Sequence, residues 1–137
     1  MYVEVGEFAD AATLCDVANA FEYYWAPQGY WGVDGRFSAL ESTFRSLVPG
    51  QWVFSMLTQL REGNSIPPHA DKPLSPWVTR YHYVLGSNDY SWCMHDGVWQ
   101  QLLPGHIYTM EPQYVHAAIN WGATPRTHLV VDIGDPQ

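Results

Sequence analysis

Residues 78–133 read VTRYHYVLGSNDYSWCMHDGVWQQLLPGHIYTMEPQYVHAAINWGATPRTHLVVDI. Short β-branched and aromatic runs alternate with turn signals at Gly86-Ser87-Asn88-Asp89, Asp96-Gly97, Pro104-Gly105 and Gly122-Ala123-Thr124-Pro125. The pattern predicts strands at Val78–Leu85, Tyr90–Met94, Val98–Leu102, His106–Met110, Val115–Asn120 and Arg126–Ile133. Upstream, Trp52–Leu60 followed by Glu62-Gly63-Asn64 extends it back to residue 51. Many short strands at close spacing fold as a sandwich or barrel. Residues 1–50 have a different texture. Asp10 can cap a helix whose apolar face is Ala11, Leu14, Val17, Ala18 and Phe21. Ser38 and Glu41 form a capping box ahead of Leu40, Phe44 and Leu47, and Pro49-Gly50 ends that helix. The expectation is a mainly β, jelly-roll-like barrel with N-terminal helices packed outside. It forms a single domain over 1–137, with a helical lead-in and loop over 1–50 and the β core over 51–137.

The chain has 137 residues, 47% hydrophobic, 15% aromatic and only 15% charged, which excludes intrinsic disorder. The net charge of −8 repels phosphate backbones and anionic membrane surfaces, so neither nucleic acid nor membrane is an expected partner. No apolar run approaches the roughly 18 residues that span a bilayer. The start, MYVEVGEFADAATL, lacks a basic leader region, and the expected location is cytoplasmic. Cys15 and Cys93 are far apart and show no metal-ligand spacing; they read as reduced buried thiols, with one disulfide as the alternative.

The stretch Pro67-Pro68-His69-Ala70-Asp71 carries the chemistry. In extended chain, residues i and i+2 face the same way, so His69 and Asp71 present an imidazole and a carboxylate together. His116, on a later strand, offers a second nitrogen. Two histidines and one carboxylate form the facial triad of non-haem Fe(II) oxygenases, which leaves coordination positions open. Arg126 follows ten positions on, across the turn at Trp121–Pro125. If the flanking strands form a hairpin, 116 and 126 sit nearly opposite, and a guanidinium there suits a carboxylate-bearing cosubstrate. The bland alternative for Arg126 is a surface ion pair with Asp132 or Asp135. Alternation also places Arg80, His82 and Val84 on one strand face.

His69-x-Asp71, Arg80-x-His82, His116 and the run Arg126-Thr127-His128-Leu129-Val130-Val131-Asp132 together resemble the aspartyl/asparaginyl β-hydroxylase family, bacterial proline hydroxylases included, over roughly residues 51–135. The resemblance implies a double-stranded β-helix and an Fe(II)- and 2-oxoglutarate-dependent dioxygenase. Such an enzyme uses O2 to hydroxylate an unactivated C–H of a small molecule, amino acid or peptidyl residue. It implies iron on His69, Asp71 and His116, the distal carboxylate of 2-oxoglutarate on Arg126, and help from Arg80 and His82 in holding the cosubstrate. Animal aspartyl hydroxylases lack the carboxylate ligand, so Asp71 places the chain nearer the bacterial members. Two alternatives stand beside this reading. One is a cupin-like metal-binding jelly roll that does not use 2-oxoglutarate, since His116-x-x-x-Asn120 loosely resembles the second cupin motif. The other is a non-catalytic binding module.

The remaining histidines and tryptophans are expected to be structural. His95 and His106 sit beside turns as surface residues, and His128 reads as a core histidine. Trp77, Trp92, Trp99 and Trp121 are candidates for barrel filling or a pocket wall, with Trp121 the best pocket candidate. The aromatic, Gly-containing Gln28–Phe37 loop is a candidate lid.

Overall fold

The structure is a computed structural model that describes residues 1–20, 25–27, 42, 45–46, 50–71 and 78–134. Ten strands and one helix are described: β1 Val3–Glu7, α1 Ala11–Asn19, β2 Trp25–Pro27, β3 Gln51–Leu60, β4 Ser65–His69, β5 Thr79–Gly86, β6 Ser91–His95, β7 Val98–Gln100, β8 His106–Met110, β9 His116–Asn120 and β10 Arg126–Gly134. They form two antiparallel sheets, ordered β1-β8-β5-β10-β3-β2 and β4-β9-β6-β7. Strands β3 to β10 place β3-β10-β5-β8 in one sheet and β4-β9-β6-β7 in the other, which is the jelly-roll order of a double-stranded β-helix. The mainly β expectation holds, and no described helix is long and apolar enough to cross a membrane.

Strand β10 organises the molecule. It is buried along its whole length, pairing with β3 on one side and β5 on the other. Its residues alternate between two environments, as strand geometry requires. Leu129, Val131 and Ile133 join Leu57, Tyr83, Leu85, Ile107 and Ala18 in a core on the outer side of the large sheet. The helix α1 covers that core with Leu14, Cys15, Val17 and Ala18. Asn19 at the end of α1 accepts hydrogen bonds from Gln59 Nε2 (2.9 Å) and Thr127 Oγ1 (2.7 Å), fastening the helix to β3 and β10. The other β10 positions, Arg126, His128, Val130 and Asp132, alternate with these. Between the sheets lies a second apolar cluster that includes Tyr2, Leu60, Val84, Cys93, Tyr108, Met110 and Ala118.

Several expectations change. Asp10 does not cap α1 with its side chain; it takes a left-handed conformation (φ 65°), and its carbonyl accepts the first helical bond from Leu14 (2.9 Å). Of the segment 38–47 only residues 42, 45 and 46 are described, as helical. The Gln28–Phe37 loop, Phe21 and Trp77 lie outside the described residues. The expected hairpin joining 116 and 126 does not form, because β9 belongs to the small sheet and β10 to the large one. The connection crosses between sheets on an asparagine clamp. Asn120 Nδ2 donates to the Leu60 and Thr124 carbonyls (2.8 and 2.9 Å), while its Oδ1 accepts from Gly122 N and Asn88 Nδ2 (3.0 Å each). The cysteines do not pair: Cys15 is on α1 and Cys93 is between the sheets.

Candidate metal centre

The strand β4 reads Ser-Ile-Pro-Pro-His and lies at the edge of the small sheet, where prolines are tolerated because no neighbour needs their N–H. Its pairing with β9 runs Ser65↔Ile119, Ile66↔Ala118 and then His69↔His116, so three steps on β4 match two on β9. The extra residue at the prolines is a bulge. Without it, His69 would alternate to the face opposite Ile66; with it, both point between the sheets. Asp71 follows, anchored by its backbone N–H to the Pro112 carbonyl (2.8 Å) just ahead of β9.

The three side chains converge. Ligand atoms of His69, Asp71 and His116 all lie within 4.8 Å of one another. His69 Nε2 is 3.3 Å from Asp71 Oδ1, and His116 Nε2 is 3.3 Å from Asp71 Oδ2. Each imidazole is locked from behind: His69 Nδ1 donates to the Pro67 carbonyl (2.8 Å) and His116 Nδ1 to the Tyr114 carbonyl (2.9 Å). A carbonyl only accepts, so each Nδ1 carries the proton and, in the neutral rings, each Nε2 carries a lone pair. Burial keeps His116 toward the neutral form, lowering its pKa. With both rings in that form, two lone pairs and a carboxylate face one another. The donor set fits a divalent transition metal, and backbone carbonyls orient metal-binding imidazoles in the same manner.

Arg80 stands behind Asp71. Its Nε and Nη2 donate to Asp132 Oδ1 and Oδ2 (2.7 and 3.0 Å), and its Nη1 donates to Asp71 Oδ2 (2.5 Å). Partial burial pushes the Asp71 carboxyl up, but the Arg80 hydrogen bond and charge, with smaller help from His116 and His69, bring it below its ordinary value. Arg80 therefore serves the carboxylates rather than offering an open fork.

Arg126 is in the opposite situation. It is 3% exposed, Nη1 is bonded to His128 Nδ1 (2.9 Å), and Nε is buried without a partner. No carboxylate among the described residues pairs with it, so the surface ion pair with Asp132 is not made; Asp132 is committed to Arg80. His82 is buried beside it, with Nδ1 3.0 Å from His128 Nδ1 and the Tyr2 ring edge-on at 5.4 Å. A cavity of about 100 Å³ between the sheets is lined by His69, Asp71 and His116, by Arg80, His82 and Arg126, and by Tyr2 and Cys93. All six residues singled out in the sequence thus meet at one cavity, although Arg126 reaches it from the facing sheet rather than from a hairpin partner.

The cavity also has walls that the sequence reading omitted. Tyr2 comes from the chain start, where Gln100 clamps its backbone N–H and carbonyl (2.6 and 3.1 Å) across 98 residues. Cys93 points inward from β6, and burial raises its thiol pKa. Asp132 holds Arg80, a role its i+6 spacing from Arg126 does signal, since both fall on one strand face. His95 is buried rather than exposed, with Nε2 bonded to the Glu111 carbonyl (3.1 Å). Trp121, at 71% exposure, faces solvent and does not line the cavity; Trp92 and Trp99 are exposed as well.

A jelly roll with two histidines and a carboxylate converging between its sheets defines the class: a double-stranded β-helix protein with a facial-triad constellation. Within that class, the chain belongs to the aspartyl/asparaginyl β-hydroxylase family, whose model matches residues 37–136. Among solved structures, AerE from Microcystis aeruginosa is 19% identical over 64% of this chain and 39% of its own, with a TM-score of 0.49. A conserved protein with a double-stranded β-helix domain from Klebsiella pneumoniae subsp. pneumoniae is 21% identical over 59% of this chain and 66% of its own (TM-score 0.48). A predicted oxalate decarboxylase from Thermotoga maritima is 15% identical over 72% and 74% (TM-score 0.49). This chain spans about two fifths of AerE's length. No curated protein matches it.

Proposed function

We propose that the chain is an Fe(II)- and 2-oxoglutarate-dependent oxygenase that hydroxylates an unactivated C–H of a small molecule, amino acid or peptidyl residue. The observation that carries this reading is the convergence of two imidazoles and a carboxylate on the same cavity as a buried guanidinium whose Nε has no partner. His69, Asp71 and His116 would hold the metal, and with the bound 2-oxo acid it supplies O2 activation. Arg126 would take the far carboxylate of 2-oxoglutarate, satisfying donors that the protein leaves unmet. Arg80 keeps Asp71 ionised and fixed. The cavity, about 100 Å³, is smaller than the roughly 300 Å³ at the low end of small-molecule sites. It suits a compact cosubstrate, and the substrate to be oxidised would approach from its mouth. Unpaired thiols at Cys15 and Cys93 suit the reducing cytoplasm.

The test is anaerobic addition of Fe(II) and 2-oxoglutarate. A weak visible charge-transfer band is expected from the protein and none from His116→Ala. Iron binding without that band, at millimolar 2-oxoglutarate, would reject the oxygenase reading in favour of a cupin-like metal protein that does not use this cosubstrate.

A further inference from the structure

Arg126 and His128 stand two residues apart on β10, on the same face. His82 lies diagonally across on β5, where its direct partner is Val130. Arg126 Nη1 is 2.9 Å from His128 Nδ1, and His82 Nδ1 is 3.0 Å from that same nitrogen. A guanidinium has donors only, so His128 Nδ1 must accept and bears no proton. The contact between the two imidazoles then requires the proton on His82 Nδ1, and the single lone pair of His128 Nδ1 is shared between the two donors. One obligate donor thus sets both tautomers: His128 carries its hydrogen on Nε2, and neutral His82 is left with an acceptor at Nε2. His128 Nε2 is buried without a partner, so the ring keeps this orientation at the cost of an unsatisfied N–H. The charged and titratable groups facing the pair are Arg126 on β10, Arg80 on β5, His95 and His116 from the small sheet, and Tyr2, edge-on to His82. Burial first, then the guanidiniums of Arg80 and Arg126 at His82 and of Arg126 at His128, keep both rings neutral.

We infer that His128 is a positioning residue: a neutral acceptor that holds Arg126 by one Nη and leaves its other donors to a ligand carboxylate, while fixing His82 as an acceptor at Nε2. Any ligand group that bonds His82 Nε2 must then bring a hydrogen. The identity of the carboxylate ligand rests on the function proposed above; the tautomers do not.

Two measurements test this on the full chain. Long-range 15N–1H correlation of the histidine rings is expected to show Nδ1 bare on His128 and protonated on His82. In His128→Leu, His82 should leave that tautomer; in His128→Asn, whose Oδ1 can replace Nδ1 as acceptor, it should stay. The dissociation constant of 2-oxoglutarate from the Mn(II)-loaded protein should rise about tenfold in His128→Leu and stay within about threefold in His128→Asn, the size of one charge-assisted hydrogen bond. Mn(II) affinity should be unchanged in both. A proton on His128 Nδ1 in the wild type overturns the inference. So does a leucine variant that keeps both the His82 tautomer and the dicarboxylate affinity, or an asparagine variant that loses both. If the wild type ignores 2-oxoglutarate, the proposed function falls, and the ring tautomers still decide the role of His128. If the leucine variant does not fold, the wild-type and asparagine spectra decide it.

Discussion

Acid should destabilise this protein well above the range where carboxylates titrate, and the size of the effect follows from two rings. His82 and His128 are buried, and their pKa values are held well below the ordinary 6.5 by burial first and neighbouring cations second. In the unfolded chain both titrate near 6.5, so below that pH the unfolded state binds more protons and stability falls as pH falls. The stabilisation is complete above 6.5 and is lost progressively toward the folded-state pKa. Between pH 7 and 5.5 each histidine costs on the order of 1 kcal/mol, and the pair about 2 kcal/mol. His116, buried and with a lowered pKa, acts in the same direction. For a chain of this length, about 2 kcal/mol lowers Tm by about 6–10 °C. The assay is urea denaturation of chelator-treated protein at pH 7, 6 and 5.5, because metal affinity itself varies with pH. His128→Asn removes one titrating ring, and its slope against pH should be shallower by about one proton. A stability flat across this window would show that these histidines are not buried neutral, and the account of the cavity wall would be wrong.

Further outcomes are expected of the ion pairs and the ligand set. Arg80→Met strands Asp132, 2% exposed, as a lone buried charge and should cost about 3–5 kcal/mol in denaturation, whereas Arg80→Met with Asp132→Leu should recover most of it. The single variant should also lose about tenfold in Mn(II) affinity, as removing a group that orients a ligand does. Arg126→Met should cost about 2–5 kcal/mol of 2-oxoglutarate affinity with metal affinity intact, read by titration of the Mn(II)-loaded protein. Asp71→Ala should weaken metal binding and uncouple 2-oxoglutarate turnover from substrate oxidation. Product mass spectrometry with chloride present should show no chlorination by the wild type, because the Asp71 carboxylate fills the position that a chloride would need.

What the sequence revealed was local, and what it hid was pairing between distant segments. The strands β3 and β5 to β10 were legible because alternation and turn residues lie within a few positions of each other. The strand β4 was not, since Pro67 and Pro68 interrupt its pattern, and the bulge they make is what turns His69 inward. The strand β1 was missed because it is short and its valines, Val3 and Val5, are exposed, inverting the usual pattern. The trio of His69, Asp71 and His116 could be picked out by residue type and spacing. The side from which Arg126 arrives could not, because a five-residue connection serves a hairpin and a sheet crossing equally well, and the choice depends on Asn88 and Asn120 meeting across 32 residues. His128 read as a core histidine, and it is one; its bonds to Arg126 and His82 depend on where two neighbouring strands fall in register.

The charges around the cavity explain why its two proposed ligands need each other. Asp71 and Asp132 are matched by Arg80 and Arg126, so these four groups contribute no net charge there, and burial keeps His82, His116 and His128 toward the neutral form. A divalent cation alone would leave two positive charges in a low-dielectric space. A dicarboxylate alone would meet the Asp71 carboxylate, whose own arginine is already engaged, with only Arg126 attracting it. Together, the cation and the dianion cancel, each supplying the charge that makes the other tolerable. Metal should therefore strengthen the binding of a dicarboxylate and, by linkage, the dicarboxylate should strengthen metal binding by the same factor. Arg80, tied by two bonds to Asp132, is what makes this possible: it offsets Asp71 without offering the dicarboxylate a competing seat.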